Sequence, residues 1–420
     1  MLLAVAALSA RMLAEAARDG GYRSVALDLF GDADTRRAAD EWSPIGAASP
    51  LAIDGDALLA ALRRLRGQGA AGWIAGSGFE AQPQLLADGA GILPLIGNPP
   101  AVVARVRDPA GFFARLAALG IPHPETRCEC PPSPLGWLRK DFASSGGREV
   151  TPAPRERPDP ADAAVTKRAP DAAIHYQRVA PGVPMSALFL ADGRRSRLVG
   201  VHRQVVRGFD GRPYVFRGCI GPMQLPPGSR RALEHMLATL TAEFGVRGLN
   251  GLDFLLDGER LAVLELNPRP PASIALYRDA WPGGILRAHV VACLEGRLPD
   301  VTDRTCGERT SSPADRCPPT LADGSTPALR GFEVVFARRP CTVSVAAADA
   351  FARLDGCHDL PAAGTRFAPG EPLCTVSAAG TTLADVQAQL LQRRRQIPSL
   401  LEQPDEGSSE GLRVRKLECQ

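Results

Sequence analysis

The chain has 420 residues, 45% of them hydrophobic, and a net charge of +3. That length allows two or three packed domains, and so small a charge excess does not mark a nucleic-acid or membrane surface. Ten cysteines follow no repeating spacing, and Cys128 and Cys130 form a lone C-x-C, which argues against a zinc module or disulfide framework and for reduced thiols.

Residues 1–10 are apolar but lack a basic leader region, and Arg11, Glu15, Arg18 and Asp19 follow in a helical pattern. They read as a buried strand running into a helix rather than as a secretion signal. Strands over 2–8, 24–30 and 72–75 alternate with helices over 10–17 and 55–66, which predicts a parallel sheet with helices on its faces. Glycines 76, 78, 89 and 91 complete no G-x-G-x-x-G, so they read as turn glycines and not as a dinucleotide site. No apolar run reaches the length of a membrane span.

A helix is expected over 108–119, ended by Gly120, then a strand over 137–142 and a loop over 143–148. Residues 151–160, rich in proline and charge, read as a loop or insertion. Strands follow at 174–179, 186–191 and 196–203, an amphipathic helix at 230–244, and a hairpin of strands 251–256 and 261–267. Residues 299–327 have the composition of a linker. Strands at 331–337, 342–345 and 373–377 and a closing helix at 382–396 form a small β-rich module, and the polar tail 403–420 reads as disordered.

The chemistry concentrates on the hairpin. It runs Gly248-Leu249-Asn250-Gly251-Leu252-Asp253-Phe254, turns at Asp257-Gly258-Glu259, and returns through Val263-Leu264-Glu265-Leu266-Asn267-Pro268-Arg269. Glu265 and Asn267, two apart on a strand, leave it on one face. A three-residue loop over 257–259 sets Asp253 opposite Val263 and onto that same face, whereas a two-residue turn would send it to the other side. Two carboxylates and an amide oxygen are hard ligands suited to Mg²⁺ beside nucleotide phosphates. With no lysine in the segment, such a pair of like charges calls for a cation. The alternative, solvated carboxylates on an exposed face, fits poorly with strands otherwise so apolar. Arg269, stiffened by Pro268, offers a planar fork to a phosphoryl or acyl-phosphate oxygen, or else a surface salt bridge.

Upstream, Trp137-Leu138-Arg139-Lys140 precedes Ser144-Ser145-Gly146-Gly147-Arg148, a basic strand end before a loop whose N–H groups can fold over phosphates. Among 49 basic residues only Lys140, Lys167 and Lys416 are lysines. The loop is not a Walker motif. The segment His175-Tyr176-Gln177-Arg178-Val179-Ala180-Pro181-Gly182 is a strand broken at Pro-Gly, which by itself is an ordinary turn and in company can meet an adenine edge.

In this order the three pieces resemble the ATP-grasp superfamily. Within it the chain is similar to the predicted ATP-dependent carboligases related to biotin carboxylase, some of which are linked to genes for tetrahydromethanopterin- or methanofuran-type C1 cofactors. Residues 26–32, 249–254, 265–273 and 370–376 carry the match. The resemblance implies an α/β fold, α+β in the grasp lobes. It divides the chain into an N-terminal parallel-sheet pre-ATP-grasp domain over 1–105, a two-lobed ATP-grasp domain over 106–298 (lobes 106–172 and 173–298), the linker, and a β-rich C-terminal module over 328–402. ATP and Mg²⁺ are the implied cofactors. Lys140 would bind α/β-phosphate oxygens, and Ser145, Gly146 and Gly147 would form the phosphate lid. Gln177, Arg178 and Val179 would line the adenine hinge, and Asp253, Glu265 and Asn267 would hold Mg²⁺. Arg269, with Lys140, would serve catalysis at the reacting phosphate. The implied activity joins a small-molecule carboxylate to an amine through an acyl phosphate, in the cytoplasm, with no nucleic-acid or membrane partner and with homo-oligomers allowed. Assembly of a tetrahydromethanopterin or methylofuran cofactor is the implied setting. A bicarbonate-activating carboxylase and a non-catalytic ATP-binding scaffold are the rival readings. Two positions depart from the family pattern. Asp141 follows Lys140 where many members have proline, and the second ATP-binding lysine has no clear counterpart, which leaves Arg105 or Arg107 to stand in.

Overall fold

The computed structural model describes residues 1–47, 51–141, 146–154, 174–299 and 329–402. Ser145, nearly all of the expected linker, most of the proline-rich segment and the tail 403–420 lie outside these residues.

The N-terminal third forms a four-stranded parallel sheet of β1 (Leu2–Ala6), β2 (Arg23–Asp28), β3 (Glu41–Pro44) and β4 (Gly72–Ala75), in the order β3-β2-β1-β4. Leu3 to Ala6 are fully buried, as a strand covered by helices on both faces must be. One cover is α1 (Arg11–Asp19), whose Ala14, Ala16 and Ala17 are buried at close approach; another is α2 (Gly55–Gly67), capped by the Asp54 carboxylate accepting from Ala57 N–H. The alternation of hydrophobic strands and helices read from the sequence is present. Helices α3 (Pro83–Ile92), α4 (Pro100–Val106) and α5 (Pro109–Ala118) lead out of this layer.

A small antiparallel sheet follows, β5 (Thr126–Arg127), β6 (Trp137–Asp141), β7 (Thr151–Pro152) and β8 (Ile174–Arg178), in the order β5-β8-β6-β7. Thr151 and Pro152, expected in a loop, are its edge strand.

The core of the remainder is an eight-stranded sheet. Its strands are β9 (Val183–Asp192), β10 (Ser196–Phe209), β11 (Arg212–Gly221), β12 (Arg247–Asp257), β13 (Arg260–Asn267), β14 (Leu329–Phe336), β15 (Cys357–His358) and β16 (Pro372–Gly380). Their order is β13-β12-β9-β10-β11-β14-β16-β15. Strand β11 has no counterpart among the expected elements. It matters because it pairs with both β10 and β14, so the strands of the C-terminal module continue the same sheet. The strand expected at 342–345 is only Cys341–Thr342; Ser344 instead caps a helix, Val345–Arg353, by accepting from Ala347 N–H.

Helix α6 (Pro227–Phe244) covers one face of the sheet. Leu233, Leu237, Leu240 and Phe244 pack there with Leu252, Phe254, Val263 and Leu266 of β12 and β13. Because side chains alternate along a strand, that packing turns Asp253, Glu265 and Asn267 to the opposite face. Helix α7 (Ile285–Leu294) and the turn Ala272–Leu276 join the hydrophobic cluster that fastens the large sheet to the N-terminal layer. No helix among the described residues is long and apolar enough to cross a membrane.

Candidate functional site

Strands β12 and β13 are joined through Gly258 and Glu259, with Asp257 opposite Arg260. The expected three-residue loop is therefore absent, and Phe254, not Asp253, faces Val263. A register shift between Asp253 and Phe254 then brings Asp253 opposite Glu265 and Gly251 opposite Asn267. The tight turn matches the twist of the strands. The extra residue sits in the ladder as a bulge at Leu264, which turns every later side chain of β13 over. The three groups thus share a face, by a different route from the one the loop length suggested.

Asn267 Nδ2 lies 3.4 Å from both Asp253 Oδ2 and Glu265 Oε1. Ser186 and Gln204, on the neighbouring strands β9 and β10, hydrogen-bond Asp253, and Arg107 Nη1 stands 3.4 Å from Glu265 Oε2. The cluster is deep but open to the cleft, since the Glu265 side chain keeps 36% of its accessibility. Burial and then the Glu265 charge push the Asp253 carboxyl up to about 8. Burial also works against the Glu265 charge, but Arg107, the Asp253 contact and Lys140 hold that carboxyl below its ordinary value. Two carboxylates holding one proton between them at neutral pH are a site that a cation would complete. The donor set is all oxygen once the Asn267 amide is turned over, an exchange that needs no backbone movement, and it suits Mg²⁺.

Lys140, on β6, pairs across the ladder with His175 on β8, and its Nζ lies 2.5 Å from Gln177 Oε1. Gln177 is buried and its amide donates to Thr126 Oγ1 at 3.1 Å. Burial pushes the Lys140 ammonium below its ordinary range, against the pull of Glu265 and Asp253. Beyond Gln177 the chain is pinned by backbone bonds, Arg178 N to Glu125 O and Val179 N to Gly136 O, both at 2.8 Å, which leaves the Val179 side chain exposed. Gly146 and Gly147 lie against β11, where Phe216 N donates to Gly146 O at 2.9 Å. Gly147 has φ +67°, and a Cβ there would stand 2.1 Å from the Tyr214 carbonyl oxygen, so only glycine lets the loop lie this close.

Arg269 Nε bonds Glu80 Oε1 at 2.5 Å, and Glu80 also accepts from Gly78 N–H at 2.7 Å. Burial opposes the Glu80 charge, yet Arg269 and Arg107 keep its carboxyl below the ordinary range. Glu80 was not among the residues singled out in the sequence. A signal existed, because an acidic residue follows the Gly-x-Gly at the carboxyl end of a parallel strand, where α/β sheets place ligand-facing groups. Of the two arginines considered as substitutes for a second lysine, Arg107 lines the cleft, while Arg105 Nη2 bonds the Glu243 carbonyl at the end of α6, 3.1 Å away.

Lys140, Gln177, Asp253, Glu265, Asn267, Arg107 and Arg269, with Gly146 and Gly147, border one cavity of about 580 Å³, and Glu80 and Arg105 do not. Its walls are the small sheet with Lys140 and Gln177, the Asp253–Glu265–Asn267 face, the loops after β1 and β4, and strands β11 and β14. Glu80 stands just behind it, with Arg269 between.

Residues 107–273 match the ATP-grasp domain family. No curated protein sequence matches the chain. Among solved structures, the biotin carboxylase domain of a single-chain bacterial carboxylase is similar at 18% identity, covering 96% of this chain and 94% of that one, with a TM-score of 0.63. N5-carboxyaminoimidazole ribonucleotide synthetase from Thermus thermophilus is similar at 17% identity, 96% and 99% coverage and a TM-score of 0.58. L-amino acid ligase from Bacillus licheniformis is similar at 14% identity, 94% and 97% coverage and a TM-score of 0.65. At these identities the likeness is one of fold along the whole chain.

Proposed function

We infer, from the premise that this chain carries an ATP-grasp domain over residues 107–273, that it is an ATP-dependent ligase which activates a carboxylate as an acyl phosphate for attack by an amine. The observation that carries the reading is the meeting of Asp253, Glu265 and Asn267 on one sheet face, in the same cavity as Lys140 and Arg269.

In this reading Lys140 grips phosphate oxygens once Gln177 releases its ammonium. Gly146 and Gly147 close over the phosphates, and the strand end at Gln177, Arg178 and Val179 borders the base. Asp253, Glu265 and Asn267 hold Mg²⁺, which supplies charge neutralisation on the phosphates when bound. A substrate carboxylate oxygen attacks the γ-phosphorus, the bond to the β-phosphate oxygen breaks, and ADP leaves. The amine nitrogen then attacks the acyl carbon, phosphate leaves, and the surplus proton of the amine passes to water. Glu80 occupies Arg269 Nε, so the terminal nitrogens of Arg269 remain for the transferred oxygens, where fixed donors act most strongly. Arg107, paired with Glu265, takes the place of the absent second lysine. A closed lid protects the acyl phosphate from hydrolysis. The finer setting, assembly of a C1 cofactor of the tetrahydromethanopterin or methylofuran type, is supported by the sequence resemblance alone.

The test is ADP and phosphate release by the purified chain with ATP, Mg²⁺, a panel of acids and an amine. Undiminished turnover in Glu265→Ala would sink the proposed metal role. Incorporation of labelled bicarbonate without an organic acid would replace the ligase by a carboxylase.

A further inference from the structure

The cavity has two chemically different halves. Among its described lining residues, every charged side chain belongs to the strands of Lys140 and Gln177, to the Asp253–Glu265 pair, or to Arg107 and Arg269 beside it. The lining residues from the N-terminal layer, from the turn after β13 and from β11 and β14 include none. These four parts of the chain build an apolar wall: Leu8 after β1 with Met12 of α1, Phe216 from β11, Ile274 from the turn after β13, and Val334 and Phe336 from β14. Apart from Ile274, which is buried, these side chains are only half-buried, so they form a wall facing open space rather than a closed core.

The polar groups on this side are uncharged. His202 lines it, but burial pushes the imidazole down to about 3, and its Nδ1 lies 3.3 Å from the Tyr277 hydroxyl. The hydroxyls of Ser77 and Ser273 also line the cavity, as does that of Ser9, which donates to Asp359 Oδ1 at 3.3 Å. Ser273 is 4% exposed and its Oγ has no hydrogen-bond partner among the described residues.

Resting on the ligase reading above, we propose that the acid substrate is a monocarboxylate with an uncharged, apolar body. Its carboxylate lies at Arg269, and its body packs on Leu8, Met12, Phe216, Ile274, Val334 and Phe336. A second carboxylate, a phosphate or an ammonium on that body would give up its hydration and find no opposite charge among the described side chains that line the wall; Arg217, stacked behind Phe336 and paired with Glu333 at 3.8 Å, does not line it. An apolar body gains contact and loses only water-exposed surface. The terminal nitrogens of Arg269 and the metal face then have a single carboxylate to activate.

The experiment uses the full chain with ATP, Mg²⁺ and hydroxylamine as the amine, reading ADP release and hydroxamate formation. The acids are acetate to hexanoate and phenylacetate on one side, and succinate, glutamate and 3-phosphoglycerate on the other. The expected result is a kcat/KM that rises up to about 4-fold per added methylene, and that favours phenylacetate over succinate by at least about tenfold, the cost expected for stranding a charge in an apolar wall. Met12→Lys and, independently, Phe336→Lys introduce a cation into the wall. Each is expected to shift the phenylacetate-to-succinate ratio toward succinate by about tenfold or more, as a new charge partner should. Two variants guard against one failing to fold. Turnover with the charged acids equal to or above that with the apolar ones would overturn this inference and leave the ligase reading standing. ADP release with none of the acids would overturn both.

Discussion

Among the described residues, two groups of carboxylates meet closely and are held in different ways. At the junction of the N-terminal layer with the C-terminal strands, Arg11 Nε lies 2.8 Å from Asp359 and 3.5 Å from Asp34, and Arg11 Nη1 lies 3.2 Å from Glu15. Arg278 adds a second guanidinium on Glu15, at 2.7 Å. The backbone N–H groups of Asp359 and Leu360 complete Asp34 at 2.8 and 2.9 Å. Burial works against the Asp359 charge, but Arg11 holds that carboxyl below its ordinary value. In the cleft, Asp253 and Glu265 have one arginine between them, at 3.4 Å, and Asp253 keeps its proton to about 8. Glu15, Asp34 and His358 also come within 4.8 Å of one another, yet the Arg11 cation already stands among them. The comparison teaches that a carboxylate with its own guanidinium stays ionised and fastens layers together, whereas one short of such a partner is pushed toward its protonated form, as Asp253 is in the cleft and Asp32 at the junction.

The sharpest way to break this contrast is to remove one member from each group. Glu265→Ala should lower turnover by about 10³-fold or more, since it takes away metal and transition-state charge together, while the urea midpoint stays near that of the parent. Arg11→Ala should do the reverse. It strands buried carboxylates and should cost about 3 kcal/mol of stability by denaturant unfolding, with kcat per folded molecule retained. Loss of activity without loss of stability in Arg11→Ala would erase the distinction.

A smaller effect is expected at Arg269. Its replacement by alanine should reduce kcat by about 10²-fold with little change in the KM for ATP, as removal of one transition-state donor does. Glu80→Gln keeps the shape but drops the charge that orients Arg269, and should cost about tenfold in kcat, the low end for a positioning contact. Equal losses in the two variants would make Glu80 more than a positioning residue.

The pH behaviour separates Asp253 from Asp359. The Asp253 carboxyl is raised from 3.8 to about 8, so the folded metal-free protein binds a proton the unfolded chain has released. Its contribution therefore weakens stability progressively as pH rises from about 4 to about 8. Mg²⁺ binding below that upper value should release a proton, and affinity should fall as pH is lowered through it. Calorimetry in two buffers of different ionisation heat measures the proton directly. Asp253→Asn should abolish the release and flatten that part of the stability profile. The Asp359 carboxyl, held low, acts in the other direction: its stabilisation is present above about 4, the ordinary value for Asp, and is lost as pH falls further.

The legible part of the site lay within single strands. Glu265 and Asn267 announce a shared face by their spacing, and Lys140 stands out in a chain that rarely uses lysine. The alternation of strand and helix in the first hundred residues was equally readable, because Leu3 to Ala6 and their neighbours carry the burial pattern in composition alone. Less legible was β11, whose Gly, Pro and Arg content hides a strand that exists because β10 and β14 pair with it on either side.

By itself the sequence determined which side chains leave the returning strand together, since two-residue periodicity is a property of the extended backbone. It also determined that the carboxylates there would lack a lysine nearby in the chain. The tertiary structure alone decided that the odd residue of the hairpin lies in a bulge at Leu264 instead of in the turn, that Arg107 and not Arg105 enters the cleft, and that Glu80 stands behind Arg269. Those outcomes depend on how separate elements pack. Glu80 and Arg269 are 189 residues apart, and no local spacing encodes a contact of that length.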